Sequence, residues 1–388
     1  MLKPISSLDY NLTPESDKHP QTLRRKIEKN LHTRLLHDLN QISSELDVNP
    51  TDLGNIQKAN QKFPMLIPES LIERIKPGDL SDGVFRQFVP SEDELHIAEG
   101  FTLDPLQEFT EKQVETSLPC CILQKYAGRA LVITTNACAA RCRFCFRRFF
   151  PKNHALFPLP RQLDDLINSS ADHEVPVAVE EYLNQLFQVI LQTPNINEII
   201  FSGGDPLTLS NKEIKLLLHY TDSIRHVNRV RFHSRVPILT PLRIDQDFPD
   251  AWSFTANNRK RALVLHIVLH VNHPAEISPS VEKSLLALRQ KGYILTSQTV
   301  LLHGINDSVD VLKRLYEKLI DNGVVPYYLH QLDRVQGAAH FETPVAKGRE
   351  LMKQLCQVLP GYAMPRYVRE VPGFPSKTDL FMNQDITQ

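Results

Sequence analysis

A chain of 388 residues, 41% hydrophobic and 23% charged, is long enough for one large domain with added elements or for two domains, and its composition is that of an ordinary globular protein. A formal net charge of −1 gives no bulk attraction to nucleic acid or to an anionic membrane. The opening Met1-Leu2-Lys3-Pro4-Ile5-Ser6-Ser7 lacks the apolar core of an export signal, and no run approaches the roughly 18 apolar residues of a membrane span, so a cytoplasmic protein is expected.

Residues 1–95 read as a mostly helical, polar extension. Apolar residues recur at helical spacing from Gln21 to Leu46, and Pro68 to Ile75 has the pattern of a short capped helix. No chemistry is legible there, and a cap or partner-binding role is expected. Residues 96–388 form the second unit. From about residue 129, β-branched apolar runs alternate with amphipathic helical stretches. Strands are expected at Ala130–Thr135, Glu198–Ser202, Arg229–Ser234, Leu263–His270, Ile294–Leu302 and Pro326–Leu332. Helices are expected at Asn211–Ile224, Ser280–Lys291, Val309–Asn322 and Val345–Leu359. Phe157 to Ala178, with scattered prolines and a polar tract, reads as a surface insertion. The alternation predicts an α/β fold with a parallel sheet, and six units suit a partial (β/α)6 TIM-like barrel. A doubly wound sheet has the same periodicity and stays open.

The unusual residues fall at strand ends. Cys138 follows the first strand, Gly203-Gly204-Asp205 the second and Arg235 the third; His270 ends the fourth, Gln298 lies in the fifth and Asp333 follows the sixth. Barrel enzymes build their sites from strand carboxyl ends, so one shared site is expected.

The six cysteines are Cys120, Cys121, Cys138, Cys142, Cys145 and Cys356. Without an export signal a disulfide framework is not expected, and clustered cysteines point to metal or catalysis. Cys138, Cys142 and Cys145 have C-x3-C-x2-C spacing on a loop after a strand. Three thiolates suit a cubane cluster that leaves one iron without a protein ligand. Structural zinc wants four ligands, which the Cys120-Cys121 pair could help to supply. Buried structural cysteines are the plain alternative, against which the polar, arginine-rich loop argues.

The C-x3-C-x-aromatic-C pattern, with Phe144 before the last cysteine, resembles the radical S-adenosylmethionine superfamily. That resemblance implies a [4Fe–4S] cluster on Cys138, Cys142 and Cys145, with S-adenosylmethionine on the open iron. Phe144 would lie beside the adenine. Ser202, Gly203, Gly204, Asp205, His270 and Gln298 would bind the rest of the cofactor, and paired glycines permit close approach of backbone.

From Pro68 to Thr378 the chain resembles, more narrowly, the lysine 2,3-aminomutase family. Matching stretches are Cys138 to Arg148, Phe201 to Leu207, Phe232 to Pro237, His270 to Glu276, Gln298 to Asp307, Pro326 to Phe341 and the Lys377 loop, Pro372-Gly373-Phe374-Pro375-Ser376-Lys377-Thr378. This resemblance implies that Lys377 carries pyridoxal 5′-phosphate, with Lys125, Arg129 and Arg235 near the phosphate. It places Arg147 at the carboxylate of L-lysine, and Asp333 and Glu370 at the distal ammonium. Lys125 stands where the free-standing enzymes have arginine, and Glu370 where they have aspartate. The implied reaction is migration of the amino group from C2 to C3, giving β-lysine, with electrons from a flavodoxin-like donor.

The free-standing enzymes carry a zinc site that uses a cysteine after a Gly-Val-Asn-Asp segment. Here Gly304-Ile305-Asn306-Asp307 is followed by Ser308, and the chain stops soon after Lys377, so no such zinc site is expected. The short form and Val335 to Phe341 resemble the branch that makes β-lysine for elongation factor P, where a partner ligase attaches it. A free-standing metabolic aminomutase for lysine or another diamino acid, a glycyl-radical activating enzyme, and a non-catalytic iron–sulfur or zinc binding protein are the other readings.

Overall fold

The computed structural model describes residues 20–48, 56–108, 121–151, 154–159, 161–169, 176–254 and 262–382. A small antiparallel pair, β1 (Leu35–Leu36) with β2 (Ile67–Pro68), lies in the N-terminal part. The main sheet has nine strands: β3 (Ile122–Leu123), β4 (Arg129–Thr135), β5 (Glu198–Gly203), β6 (Arg229–Ser234), β7 (Val264–His270), β8 (Ile294–Leu301), β9 (Val325–Gln331), β10 (Arg366–Arg369) and β11 (Thr378–Asp379). Their spatial order is their chain order, without a reversal. A doubly wound sheet reverses at its switch point, so that alternative does not describe this molecule. β4 to β10 run parallel, and β3 and β11 pair antiparallel at the two edges.

The six expected strands and four expected helices are present with ends shifted by a residue or so; the helices span Asn211–Ser223, Pro279–Gln290, Val309–Asp321 and Val345–Val358. Two of their starts follow from side-chain capping. Ser210 accepts a hydrogen bond from Glu213 N while the Glu213 carboxylate accepts from Ser210 N, satisfying two donors that the first turn would leave unpaired. Ser308 caps Val309–Asp321 by accepting from Val311 N. The strands bury one face against a common core, to which Ile199 and Phe201 of β5, Val230 and Phe232 of β6 and Ile267 of β7 belong, while residues of the opposite face, such as Arg231, His233 and Gln298, line a cavity. A smaller cluster of Phe101, Phe144, Leu302, Ile305, Leu332, Val335, Ala338 and Phe341 packs above it.

Three expectations change. The stretch from Gln21 to Leu46 is not one helix: Pro20–Leu31 stops at His32, whose φ is +52°, and a second helix, Leu39–Glu45, restarts at the cap Asp38. Phe157 to Ala178 is not a surface insertion in its described part, because Phe157, Leu159 and Ile167 are buried in the main core and Arg161–Ser169 is helical. The segment before residue 95 is also more than a polar cap. Ser70 Oγ and Arg74 donate to carbonyls at Leu239 and Glu276, and Arg86 donates to Gly304 O at 2.7 Å.

A candidate active site lined by three thiols and a lysine

A single cavity of about 1430 Å³ is lined by every side chain expected to carry chemistry: Cys138, Cys142, Cys145, Phe144, Ser202, Gly203, Gly204, Asp205, His270, Gln298, Lys125, Arg129, Arg147, Arg235, Asp333, Glu370 and Lys377. Loops and strand ends far apart in the chain meet there because the sheet keeps its order and direction. Cys120 lies outside the described residues, and Cys121 is a buried core residue.

The cysteine loop leaves β4 and is fastened to the N-terminal segment. Arg141 N donates to Leu66 O at 3.0 Å and Arg143 N to Gln87 O at 2.9 Å. The Arg143 guanidinium is fully buried, forms a two-point pair with Glu94 at 2.7 and 2.8 Å, and stacks on Phe63 at 4.7 Å. Arg148 also donates to Glu94. The flanking arginines therefore hold the loop shape and leave the thiols facing the cavity. Burial, with the neighbouring cysteine sulfurs, pushes the Cys138 thiol well up, and burial with Cys142 pushes Cys145 up to about 11. Metal binding must take up that cost by displacing the protons. Among the described residues no three His, Cys, Asp or Glu side chains converge on one point as a single metal ion would need. Three thiols on one loop are the donor type that an iron–sulfur cluster takes.

Phe144 is buried, edge-on to His270 at 5.7 Å and to Phe341 at 6.1 Å. His270 Nε2 is buried without a hydrogen-bond partner, and burial beside Arg235 depresses the imidazole to about 3, so it stays neutral.

The fold itself requires the paired glycines. A Cβ on Gly203, whose φ is +120°, would lie 2.4 Å from Thr135 O, and one on Gly204 would lie 2.2 Å from Ala137 O. The backbone that approaches them is the entry to the cysteine loop, and Gly204 N and Asp205 N donate to those same two carbonyls. Asp205, expected on the cofactor, is taken up by the fold. Its two oxygens accept from Leu207 N, Ser234 Oγ, Arg235 N and Val236 N, bracing the ends of β5 and β6. Burial still raises it to about 6 against those donors.

A second group surrounds Lys377. Its ammonium pairs with Glu370 and lies 5.9 Å from the centre of the Tyr328 ring. Tyr126 OH donates to Glu370 at 2.6 Å, and Lys125 is 3.5 Å away. Burial alone would raise Glu370, but Lys377 and Lys125 outweigh it and hold the carboxylate at about 2. Asp333 lies across the same cavity, and burial raises it to about 7 although Lys377 pulls it down. Arg147 lines the cavity and is already engaged: Nε and Nη2 grip Glu108 at 2.6 and 3.0 Å, and Nη1 donates to Ser202 Oγ at 3.0 Å and to Gly203 O at 3.3 Å. Lys125 shares Glu108 at 2.9 Å.

Arg235 lines the same cavity as Lys377 and has contacts of its own. It is buried, donates to Cys142 Sγ at 2.9 Å, pairs with Glu276 at 2.7 Å and stacks on Phe88 at 4.5 Å. Sequence reasoning missed Glu94, Glu108, Tyr126, Gln87 and Glu276. Each is a single polar residue in an ordinary segment, and only the fold brings it to the site.

A mostly parallel α/β sheet that gathers three thiols, a paired lysine and buried carboxylates around one cavity is the architecture of an enzyme. The chain is 36% identical over 324 residues to L-lysine 2,3-aminomutase of Escherichia coli (strain K12), which covers 84% of this chain and 85% of that protein. It is 34% identical to L-lysine 2,3-aminomutase of Haemophilus influenzae, over 82% of this chain and 85% of that one. It is 32% identical to the protein of the same name from Buchnera aphidicola, over 93% and 99%. No protein-family model matches. The chain belongs to the L-lysine 2,3-aminomutase family, a family of isomerases.

Proposed function

We propose that this chain is a radical S-adenosylmethionine, pyridoxal-phosphate-dependent isomerase that converts L-α-lysine to β-lysine on a partial (β/α) barrel. The observation that carries the reading is the Lys377–Glu370 pair: a lysine ammonium already sits on the carboxylate proposed to receive one. When bound, the iron–sulfur cluster with S-adenosylmethionine would supply the radical, and pyridoxal phosphate would supply the electron delocalisation that lets an amino group migrate. Cys138, Cys142 and Cys145 hold the cluster. Phe144, His270, Gln298 and the Ser202–Gly204 turn shape the space beside it. Lys377 binds the pyridoxal group, Lys125 and Arg129 face its phosphate, and Arg235 lies between that side of the cavity and the cysteine loop.

The substrate carboxylate pairs with Arg147 at Nη1, in place of its hydrogen bonds to Ser202 Oγ and Gly203 O, while Glu108 holds the guanidinium through Nε and Nη2. Glu370 and Asp333 take the distal ammonium. A buried carboxyl at about 7 is half ionised at neutral pH, and an arriving ammonium completes the ionisation. The cavity walls exclude water around these charges, which strengthens each pairing.

The residues before about 95 form an extension that fastens the cysteine loop, in a cytoplasmic enzyme reduced by a flavodoxin-like donor. The resemblance of Val335 to Phe341, a segment that packs on Phe144, is the reason for assigning the chain to the branch that supplies β-lysine for a ligase acting on elongation factor P. The test is anaerobic reconstitution with iron, sulfide, pyridoxal phosphate and S-adenosylmethionine, followed by chromatography of lysine incubations. β-Lysine from the wild type and none from Lys377→Ala is expected. Protein loaded with both cofactors that makes no β-amino acid from lysine overturns the reading.

A further inference from the structure

Arg235 is a cation sealed into the wall behind the cysteine loop. Its guanidinium stacks between Phe88 at 4.5 Å and Phe144 at 5.8 Å. Nη1 donates to Cys142 Sγ, and Nη2 donates to Glu276 and to Gln87 Oε1. Glu276 is itself fully buried and accepts from Asn272 N, His273 N and Gln87 Nε2. Asn272 Nδ2 donates to the same Gln87 oxygen. Phe88, Phe144, Gln87 and Glu276 thus fix one guanidinium against one sulfur, with Asn272 holding Gln87, and a buried ion pair costs desolvation that a plain apolar filling would avoid.

Hydrogen bonds to cluster sulfurs and nearby buried charge are the means by which a protein sets an iron–sulfur potential. We propose that Arg235 is a positioning residue for the Cys142 thiolate that raises the reduction potential of the cluster, and that Glu276 sets how much of its charge the cluster feels. This rests on the cluster proposed above. Reduction adds one electron and moves no proton, so a fixed cation at the sulfur favours the reduced form, and removing the counter-charge favours it further.

The experiment is a dithionite titration of the anaerobically reconstituted protein, followed by electron paramagnetic resonance of the reduced cluster, without substrate. Three forms are compared: wild type, Glu276→Gln, and Arg235→Gln/Glu276→Gln, in which no buried charge is stranded. Glu276→Gln should titrate at higher potential than wild type. The double variant should fall below Glu276→Gln by at least tenfold in the reduction equilibrium, about 59 mV for a one-electron couple. Equal potentials in the three forms, or a shift of the opposite sign, overturn the proposal. If the double variant takes up no iron, the comparison rests on Glu276→Gln against wild type, and an equal or lower potential in Glu276→Gln overturns the proposal. A wild type that binds no iron overturns the functional reading instead, so the two failures are distinct.

Discussion

Asp333 and Glu370 share one cavity and behave oppositely. Burial raises both, yet two ammonium groups beside Glu370 hold it at about 2 while Asp333 is left at about 7. Only Asp333 therefore titrates near neutrality. An acid with a raised value is neutral below it and charged above it, so the ammonium site loses half its charge as pH falls through 7. The profile of kcat/KM, which reports groups of the free enzyme, should have an acid limb there. Asp333→Asn should remove that limb and lower the plateau about tenfold or more, as expected for a truncated buried charge pair. An unchanged limb in Asp333→Asn would assign it to another group. Asp333 was legible in the sequence only through the family pattern. Read alone, an aspartate next to Arg334 is a surface ion pair, but Arg334 turns away to Glu342. Glu108 gave no signal at all, since its meaning lies in two cations brought to it from other parts of the chain.

The cysteine loop shows how much of an element the residues state by themselves. The C-x3-C-x2-C spacing and the strand before it were readable, because thiols in a polar loop have few structural uses. The support was not, because Glu94 and Phe63 belong to a segment whose own pattern is that of a plain extension. Glu94→Gln should leave Arg143 buried beside a neutral partner, which costs about 3–5 kcal/mol for a buried pair. Urea unfolding measures this, and a loss below 1 kcal/mol would mean that the pair does not hold the loop. The glycine turn makes a second contrast. A methyl on Gly204 collides with backbone that cannot yield, so Gly204→Ala should cost about 3 kcal/mol or more. Gly373, with a φ of +81° and nothing within 4 Å of a built Cβ, should lose only about 1 kcal/mol as Gly373→Ala, through backbone strain alone. Equal losses in the two would contradict the packing explanation.

Over the whole molecule, periodicity gave the six central strands because each is a run of six to eight residues with at least one face buried in the core. It missed β3, β10 and β11, which are two, four and two residues long, too short to show a period. Those short strands matter for the site, since β10 leads into Glu370 and Lys377 stands just before β11. A cofactor that binds only the folded cavity stabilises the fold by mass action. Pyridoxal phosphate at a hundredfold excess over its Kd should add about 2.7 kcal/mol to unfolding, measured by urea titration. Lys377→Ala should lose most of that increment, and an undiminished increment would place the binding lysine elsewhere.

The Tyr126–Glu370 hydrogen bond joins residues separated by 244 positions, and Arg86 reaches Gly304 across 218. Contacts of such separation form late, after the entropy of closing a long loop has been met by other packing. The arm that carries Glu370 and Lys377 can dock only on a finished β9. Helical signal should accordingly return early in refolding, while the capacity to capture pyridoxal phosphate returns in the slowest phase. The protein would spend its youth with a folded scaffold and no working centre, and its age since synthesis would be readable from whether it takes up the cofactor.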